Sequence, residues 1–351
     1  MNKIRVYTSA FAGGLAARLG VLCLLLALVT GCRVWDDQSD CPRGITLRFV
    51  FDYNLERANA FHSQVDCITV YVFDNNGNFI TSFTENSDVL ADENYRMNFP
   101  LQPGDYRLIV LGGTSCPQNS FEVTEFTRAA ANSGSVFVRL PLDDDRTSSK
   151  PLHDLFYGAV DNLRVLTDDY QEHTVRLIKD TNTVQVMLQE LTSPYIVDSQ
   201  DYEFAIEADN NLLDHDNITI PDGGMEYLPH TIENRIVGMV NPNSPTVNHD
   251  NETPVQVAYT EFSLSRIMCQ NAESSYIVIR KKSTGSEIVR LPLIEYMLVA
   301  KSSYQSWIED NQEFLDRQSH WSFMFFLQSG RWLQTRIAVN NWIVRTNDAI
   351  L

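Results

Sequence analysis

From residue 45 onward, apolar and polar positions alternate with period two, the spacing that sends successive side chains to opposite faces of a strand. Ile45, Leu47, Phe49, Phe51 and Tyr53 share one face, with Thr46, Arg48 and Asp52 on the other. Ile68, Val70 and Val72 repeat the pattern as far as Phe73-Asp74-Asn75-Asn76-Gly77-Asn78. There Asn and Gly tolerate the positive φ that a hairpin reversal demands, and Phe79-Ile80 begins a return strand. Further strands are predicted at Tyr95–Leu101, Tyr106–Leu111, Val136–Leu142 and Leu155–Val160, with Pro103-Gly104 as a turn between the first two. The second half has the same texture: Val175–Ile178, Val184–Leu188, Tyr202–Ile206, Val255–Tyr259, Tyr276–Ile279, Ile288–Leu293, Trp321–Leu327 and Leu333–Val344. One short helix is expected around Glu125–Ala131 and a longer helical stretch at Ile294–Phe314.

Many short strands joined by turn-rich connections predict an all-β chain built from antiparallel sandwiches, with short helices in the connections. The polar stretch at Asp168-Asp169 is the expected boundary, dividing the body into an N-terminal domain (41–168) and a C-terminal domain (169–351). No repeat of fixed period is visible, so solenoids and propellers are excluded.

The first 31 residues break this pattern. They carry Lys3, Arg5 and Arg18 and no acid, followed by an apolar run from Leu19 to Val29 interrupted only by Gly20. That run is too short to span a bilayer, which takes about 20 apolar residues, and it fits the core of a secretory signal. Leu28-Val29-Thr30-Gly31-Cys32 then resembles the bacterial lipobox. Small Gly31 admits the peptidase to the scissile bond, and the Cys32 sulfur is the nucleophile that becomes acylated. The expectation is a signal peptide over 1–31 cleaved after Gly31, a lipid (palmitate among its acyl chains) on Cys32, and a polar tether over 32–40. The alternative is an ordinary secreted protein whose Cys32 enters a disulfide.

Composition narrows the rest. The chain of 351 residues has 45 Asp+Glu against 27 Lys+Arg, a formal net charge of −18. Three of those bases sit in the leader, so 24 basic residues face 45 acids beyond it. Such a body is a poor partner for nucleic acid, whose phosphates need clustered Lys and Arg. With 44% hydrophobic residues, 18 Phe, 14 Tyr and 5 Trp, wholesale disorder is excluded. Beyond Cys23 and Cys32 four cysteines remain, Cys41, Cys67, Cys116 and Cys269, which an oxidising compartment would allow to pair. A bridge from Cys41 to Cys116, or to Cys67, would staple the tether end to its domain. Cys269 reads as a small buried hydrophobe.

Candidate chemistry is sparse. There is no GxSxG, HExxH, GxxxxGK, CxxC or strand-borne GxGxxG. The seven histidines (62, 153, 173, 215, 230, 249, 320) show no metal-ligand spacing. Asp209-Asn210-Asn211 with Asp214, Asp216 and Asn217 is acidic but lacks the calcium-loop order, and Asp143-Asp144-Asp145 reads as a solvated turn. Neither a catalytic residue, a metal nor a cofactor is expected.

The C-terminal stretch is more specific. Glu313…Leu315-Asp316-Arg317-Gln318 precedes Phe325-Phe326-Leu327, Trp332, Ile337, Val339-Asn340 and Trp342, with a bulge or bend expected at Asn340-Asn341. Together with the lipobox, Asp40-Cys41-Pro42 before the first strand, and Val70-Tyr71-Val72-Phe73-Asp74 with its Gly77 turn, this tail resembles the FimB-like fimbrial anchor family. These are lipoprotein minor subunits that tether fimbriae in anaerobic Gram-negative bacteria. Phe314 and Asn341 stand where a tyrosine and a glycine or serine would be expected.

The resemblance implies two transthyretin-like β-sandwich domains in tandem and no catalysis. It implies a lipid-anchored, surface-exposed position on the outer membrane at the base of a fimbrium, where the protein limits or initiates fibre assembly. Its partners would be pilin subunits, met through β-strand contacts, and the anchor would keep its own first strand, roughly Ile45–Tyr53. Trp332, Ile337, Val339, Trp342 and Val344 are the candidate subunit contacts. A surface glycan-binding lipoprotein is the alternative, and it would need exposed Trp or Tyr platforms.

Overall fold

The computed structural model describes residues 45–124, 132–166, 171–240, 253–304, 308–339 and 342–346. The signal, Gly31, Cys32, the tether and Cys41 lie outside the described residues, as do the helix expected around 125–131 and the boundary at 168–169. The N-terminal strands are β1 (Ile45–Val50), β2 (Ile68–Asp74), β3 (Phe79–Glu85), β4 (Met97–Phe99), β5 (Gly104–Gly112), β6 (Glu122–Val123), β7 (Val138–Arg139), β8 (Thr147–Ser148), β9 (Phe156–Val165), β10 (Gln171–Arg176) and β11 (Ile178–Lys179). A single helical turn, α1 (Phe61–Gln64), follows β1. Eight of these strands form a three-stranded sheet in the order β10-β1-β4 and a five-stranded sheet in the order β11-β9-β5-β2-β3.

Leu108-Ile109-Val110-Leu111 explains how the two halves meet. All four are essentially solvent-free, and they divide by parity. Leu108 and Val110 join Ile45, Leu47, Phe49, Val70, Val72 and Val175 in the N-terminal core. Ile109 and Leu111 face the other way, into a core shared with Phe121, Val136, Leu213 and the C-terminal strands. A strand covered on both sides reads as a continuous apolar run instead of an alternating one. Each such side chain contributes about 1.5–3 kcal/mol of transfer free energy.

The C-terminal elements are β12 (Asn182–Glu190), β13 (Tyr202–Ala208), β14 (Leu212–Leu213), β15 (Met225–Tyr227), β16 (Thr231–Val240), β17 (Thr253–Leu264), β18 (Tyr276–Lys281), β19 (Ser286–Pro292), α2 (Leu293–Tyr304), α3 (Asn311–Arg317), β20 (His320–Gln328), β21 (Arg331–Val339) and β22 (Trp342–Thr346). Six of them form a sheet in the order β16-β17-β12-β20-β21-β22, and a five-stranded sheet runs β19-β18-β13-β15-β8. The inward rows of both sheets, including Val184, Val186, Phe204, Ile206, Phe323 and Phe325, fill the second core. The chain is therefore all-β with mostly antiparallel pairing, as its periodicity predicts.

Several expectations change. The pairing is not wholly antiparallel: β1 lies parallel to β10, β12 to β20, and β15 to β8. The division at 168–169 does not match the sheets, because β10 and β11 beyond it pair with β1 and β9. In the other direction β7 and β8 pair with β14 and β15. The chain changes sheets between Lys179 and Asn182 instead. The helical stretch at 294–314 is two helices, α2 and α3. The single strand expected over 333–344 is two, because β21 and β22 pair antiparallel with Val339 opposite Trp342. The antiparallel pairing makes this a reversal of the chain, where the expectation is a bulge or bend.

The disulfide also differs from expectation. Cys116 is bonded to Cys67, not to Cys41. Register is the reason: β2 and β5 are neighbours with Ile68 opposite Gly112, so the residue before β2 and the loop after β5 emerge at one end of the sheet. The Cα atoms are 5.4 Å apart, within the range a disulfide requires. Among the described residues Cys269 is the free cysteine, and it is half-buried instead of fully buried.

Gly113 closes this end. Its φ is +89°, its N–H donates to the Cys67 carbonyl at 3.1 Å, and a Cβ there would lie 1.8 Å from the Asp154 carbonyl oxygen. Gly113→Ala should therefore cost roughly 2–5 kcal/mol in denaturant melts, against near-neutrality if the loop can open. Non-reducing peptide mapping should find a Cys67–Cys116 linked pair. Replacing both cysteines by alanine should lower stability by roughly 4 kcal/mol, the chain-entropy value for a loop of this size; a Cys41-linked peptide would contradict the assignment.

Candidate functional site

The six-stranded sheet holds all five sequence-predicted contact residues. In β20 the odd positions Trp321, Phe323, Phe325 and Leu327 are buried. Trp321 packs edge-on against Phe314 at 5.7 Å, and its indole N–H donates to Asn182 Oδ1 at 3.2 Å. Ile337 lies opposite Phe323 and is fully buried in the chain's own core, so its side chain is not offered to a partner. Trp332 is half-buried against Phe325, with its N–H on the Thr335 hydroxyl at 3.1 Å. Val339 ends β21, while Trp342 and Val344 lie in β22, opposite Val339 and Ile337 in the ladder. The terminal strand β22 pairs with β21 alone among the described residues, which makes it one free end of the sheet.

Behind this sheet lies a buried charge cluster that joins the two halves. Arg266 follows β17 and makes a forked contact with Asp316 of α3, at 3.0 and 2.9 Å to the two oxygens. It also donates to the Asn217 carbonyl and lies 3.5 Å from Asp180, at the crossing between the sheets. Asp180 accepts from Asn217 Nδ2 at 2.9 Å, whereas its second oxygen has no hydrogen-bond partner. Two carboxylates against one guanidinium leave one surplus negative charge in a dry site, which low polarity penalises. Burial accordingly pushes Asp180 up to about 7, against the lowering pull of Arg266. Asp316 is raised too, mainly by burial.

A cleft of about 350 Å³ opens beside the cluster, between the segment after β1 and the end of α3. Its cations are already engaged. Lys179 is 2.6 Å from Asp154, and Arg317 is 2.7 Å from Glu313 and stacked 4.0 Å over the Tyr53 ring. His320, also in its wall, is held below its ordinary pKa by burial and by the Lys179 charge. The arrangement is suited to fastening the segment after β1 against α3.

The other sequence candidates have structural roles. Asp214 accepts the backbone N–H groups of Asp216 and Ile218, Asp216 pairs with Arg107, and Asn210, Asn211 and Asn217 are buried. Asp143-Asp144-Asp145 forms an exposed turn closed by Asp143 N–H on the Thr147 carbonyl at 2.9 Å. Asp66, Cys116 and His153 bring ligand-type atoms within 4.8 Å of one another. Since Cys116 is in the disulfide it offers no thiolate, and Asp66 is bound to His153 at 3.1 Å and Gln118 at 2.9 Å. The strand reading overlooked β16, whose Ile-Glu-Asn-Arg-Ile has three polar residues in a row and is followed by a glycine two residues on.

A family model described as fimbrillin-A associated anchor proteins Mfa1 and Mfa2 matches residues 38–348. The minor fimbrium anchoring subunit Mfa2 of Porphyromonas gingivalis is 21% identical over 271 residues, covering 76% of this chain and 74% of that protein. A crystal structure of a candidate adhesin from Bacteroides thetaiotaomicron matches with a TM-score of 0.77 at 37% identity, over 88% of this chain and 99% of that one. The fimbrial anchor protein Mfa2 from Porphyromonas gingivalis matches with a TM-score of 0.65 at 17% identity, over 87% and 100%, a likeness of fold.

The Asp180 site has a testable pH signature. A raised folded-state pKa means that stability is fully present below the unfolded value of 3.8 and is lost as pH rises through about 7. Asp180→Asn keeps the acceptor for Asn217 and cannot ionise. Relative to this variant, the wild type should lose up to about 4 kcal/mol between pH ~4 and ~7 in urea melts. A difference that stays constant across that range would show that Asp180 does not titrate there.

Proposed function

The chain belongs to the family of fimbrillin-A associated anchor proteins, and on that premise we propose that it is a non-catalytic outer-membrane lipoprotein that holds a fimbrium to the cell surface. The observation that carries this reading is the family match from residue 38 to 348, which starts just after the lipobox cysteine. Signal cleavage after Gly31 and acylation of Cys32 would supply the membrane grip. Two or three acyl chains hold stably where a single chain is marginal. Among the described residues no helix is long and apolar enough to cross a bilayer. The tether over 32–40 then leads into β1, which the protein keeps paired between β10 and β4.

The pilin contact is assigned to β22. A terminal strand leaves a row of N–H and C=O groups open along one side, and an extended segment from another chain can complete it. Supporting this choice, β22 pairs on one side only among the described residues. A glycan platform is disfavoured by Trp321, which is buried, and Trp332, whose indole N–H is already satisfied.

Metabolic labelling with palmitate should mark the wild type and not Cys32→Ser, and cells carrying the variant should shed fimbriae into the medium. An unlabelled wild type defeats the lipid assignment, and normal attached fibres in a deletion strain defeat the anchor role. Truncation after Val339 should keep the protein at the membrane while abolishing co-purification of pilin. Pilin retained by the truncated protein would remove β22 as the contact.

A further inference from the structure

The opposite end of the six-stranded sheet is β16, a ten-residue strand that pairs only with β17 among the described residues. Every residue from Ile232 to Gly238 is exposed, and the apolar ones include Ile232 at 47%, Ile236 at 69% and Val237 at 48%. Long exposed strands with apolar side chains at a sheet edge are templates for pairing with another chain, and proteins usually blunt them. A β-bulge between Ile236 and Gly238 lies beyond the Ile232–Ile236 stretch, so within that stretch charges are the blunting device. They come as a pair of opposite sign, Glu233 and Arg235, bridged to each other and 45% and 47% exposed.

The order of these residues points to an occupant. Ile232-Glu233-Asn234-Arg235-Ile236 is symmetric about Asn234 in its apolar positions and antisymmetric in its charges. An antiparallel two-fold pairing with Asn234 on the axis sets Glu233 of each copy against Arg235 of the other, and Ile232 against Ile236. Directly opposed side chains in such a ladder sit about 4.5–5.5 Å apart at Cβ, where opposite charges attract and like charges repel. The two classes also fall on different faces. Ile232 and Ile236 lie opposite Thr260 and Gln256 of β17, while Glu233 and Arg235 lie opposite Tyr259 and Val257. Arg235 rests on the Tyr259 ring at 3.3 Å, which holds the guanidinium on the charged face. A foreign strand would have to match this charge order; a second copy of the chain carries it.

We propose that β16 is a self-association edge, pairing antiparallel about Asn234 with β16 of a second copy and joining two six-stranded sheets into one. The contact is isologous and closes on itself, so it yields a dimer and no longer polymer. A strand pair alone is a small interface, so the dimer is a weak, reversible one.

The test is sedimentation equilibrium of the purified protein over a dilution series, which uses neither fimbriae nor lipid and so fails or succeeds independently of the anchor reading. The wild type should show a monomer–dimer equilibrium. Arg235→Glu and Glu233→Arg each place two like-charge pairs across the axis and should weaken dimerisation at least about tenfold. Asn234 is left intact because its side chain accepts from Ser199 N–H at 2.8 Å. Mixed in equal amounts, the two variants should form a heterodimer of near wild-type strength, because the two acids on the strand of one then face the two arginines on the strand of the other. Loss of the bridge within each strand cannot produce that rescue, and a variant that failed to fold could not take part in it. A monomeric wild type at every concentration, a dimer that ignores both charge reversals, or a mixture no stronger than its components would each overturn the proposal.

Discussion

The architecture depends on one strand that is buried on both faces. In β5, Leu108 and Val110 close the N-terminal core while Ile109 and Leu111 help to build the second. Exposing either row would uncover several apolar side chains at about 25 cal/mol per Å². The middle sheet is therefore a shared wall. This sharing accounts for the exchange of short strands across the expected boundary: β7 and β8 serve C-terminal sheets, and β10 and β11 serve N-terminal ones. Two cores on one sheet leave no slack hinge where the halves meet, a property that suits the proposed anchoring role.

The charge cluster at the crossing has a different effect. Arg266, Asp180 and Asp316 come from three separated parts of the chain, and their hydrogen bonds are directional where apolar contacts are not. Buried ion pairs add little net stability, since desolvation offsets most of their attraction. What they do impose is geometry: the fork from Arg266 to Asp316 sets the end of α3 against the turn that holds Asn217. The unpartnered oxygen of Asp180 is the cost of that arrangement. The apolar wall holds the halves together, and the cluster selects one way for them to meet.

How much of this could be read in the residues follows the same division. Strands with clean alternation or dense apolar character, β1, β2, β5, β12, β13 and β20, are legible because one or two buried faces dictate their pattern. β16 is not, because an edge strand with no covering layer is under no pressure to be apolar on either face. Register is equally invisible in sequence. The Cys67–Cys116 bond depends on Ile68 standing opposite Gly112, and the parallel pairing of β12 with β20 joins residues far apart in the chain. The strand expected from Leu333 includes Ile337 and misses Trp332, and which of their faces meets the core depends on the bulge between Phe326 and Leu327. The lipobox-like stretch Leu28–Cys32 is different in kind, since a processing enzyme would read it as extended sequence and no fold is needed to recognise it.

Among the described residues the six-stranded sheet ends on β16 and β22, and two kinds of symmetry are possible at such ends. A contact that ends a fibre joins unlike surfaces and must not repeat, whereas a contact between identical edges closes after two copies. One edge could not serve both, because an occupied ladder has no groups left to offer. β22 and β16 are separated by four strands, so neither use blocks the other. The chemistry of the ends agrees with such a division. β16 carries a charge order that matches itself in reverse, which discourages strands of other sequence by leaving their charges unpaired. β22 carries one charge, Arg345, and no pair of opposite sign, so in the proposed contact its backbone groups would provide the attraction and alternate side chains the discrimination.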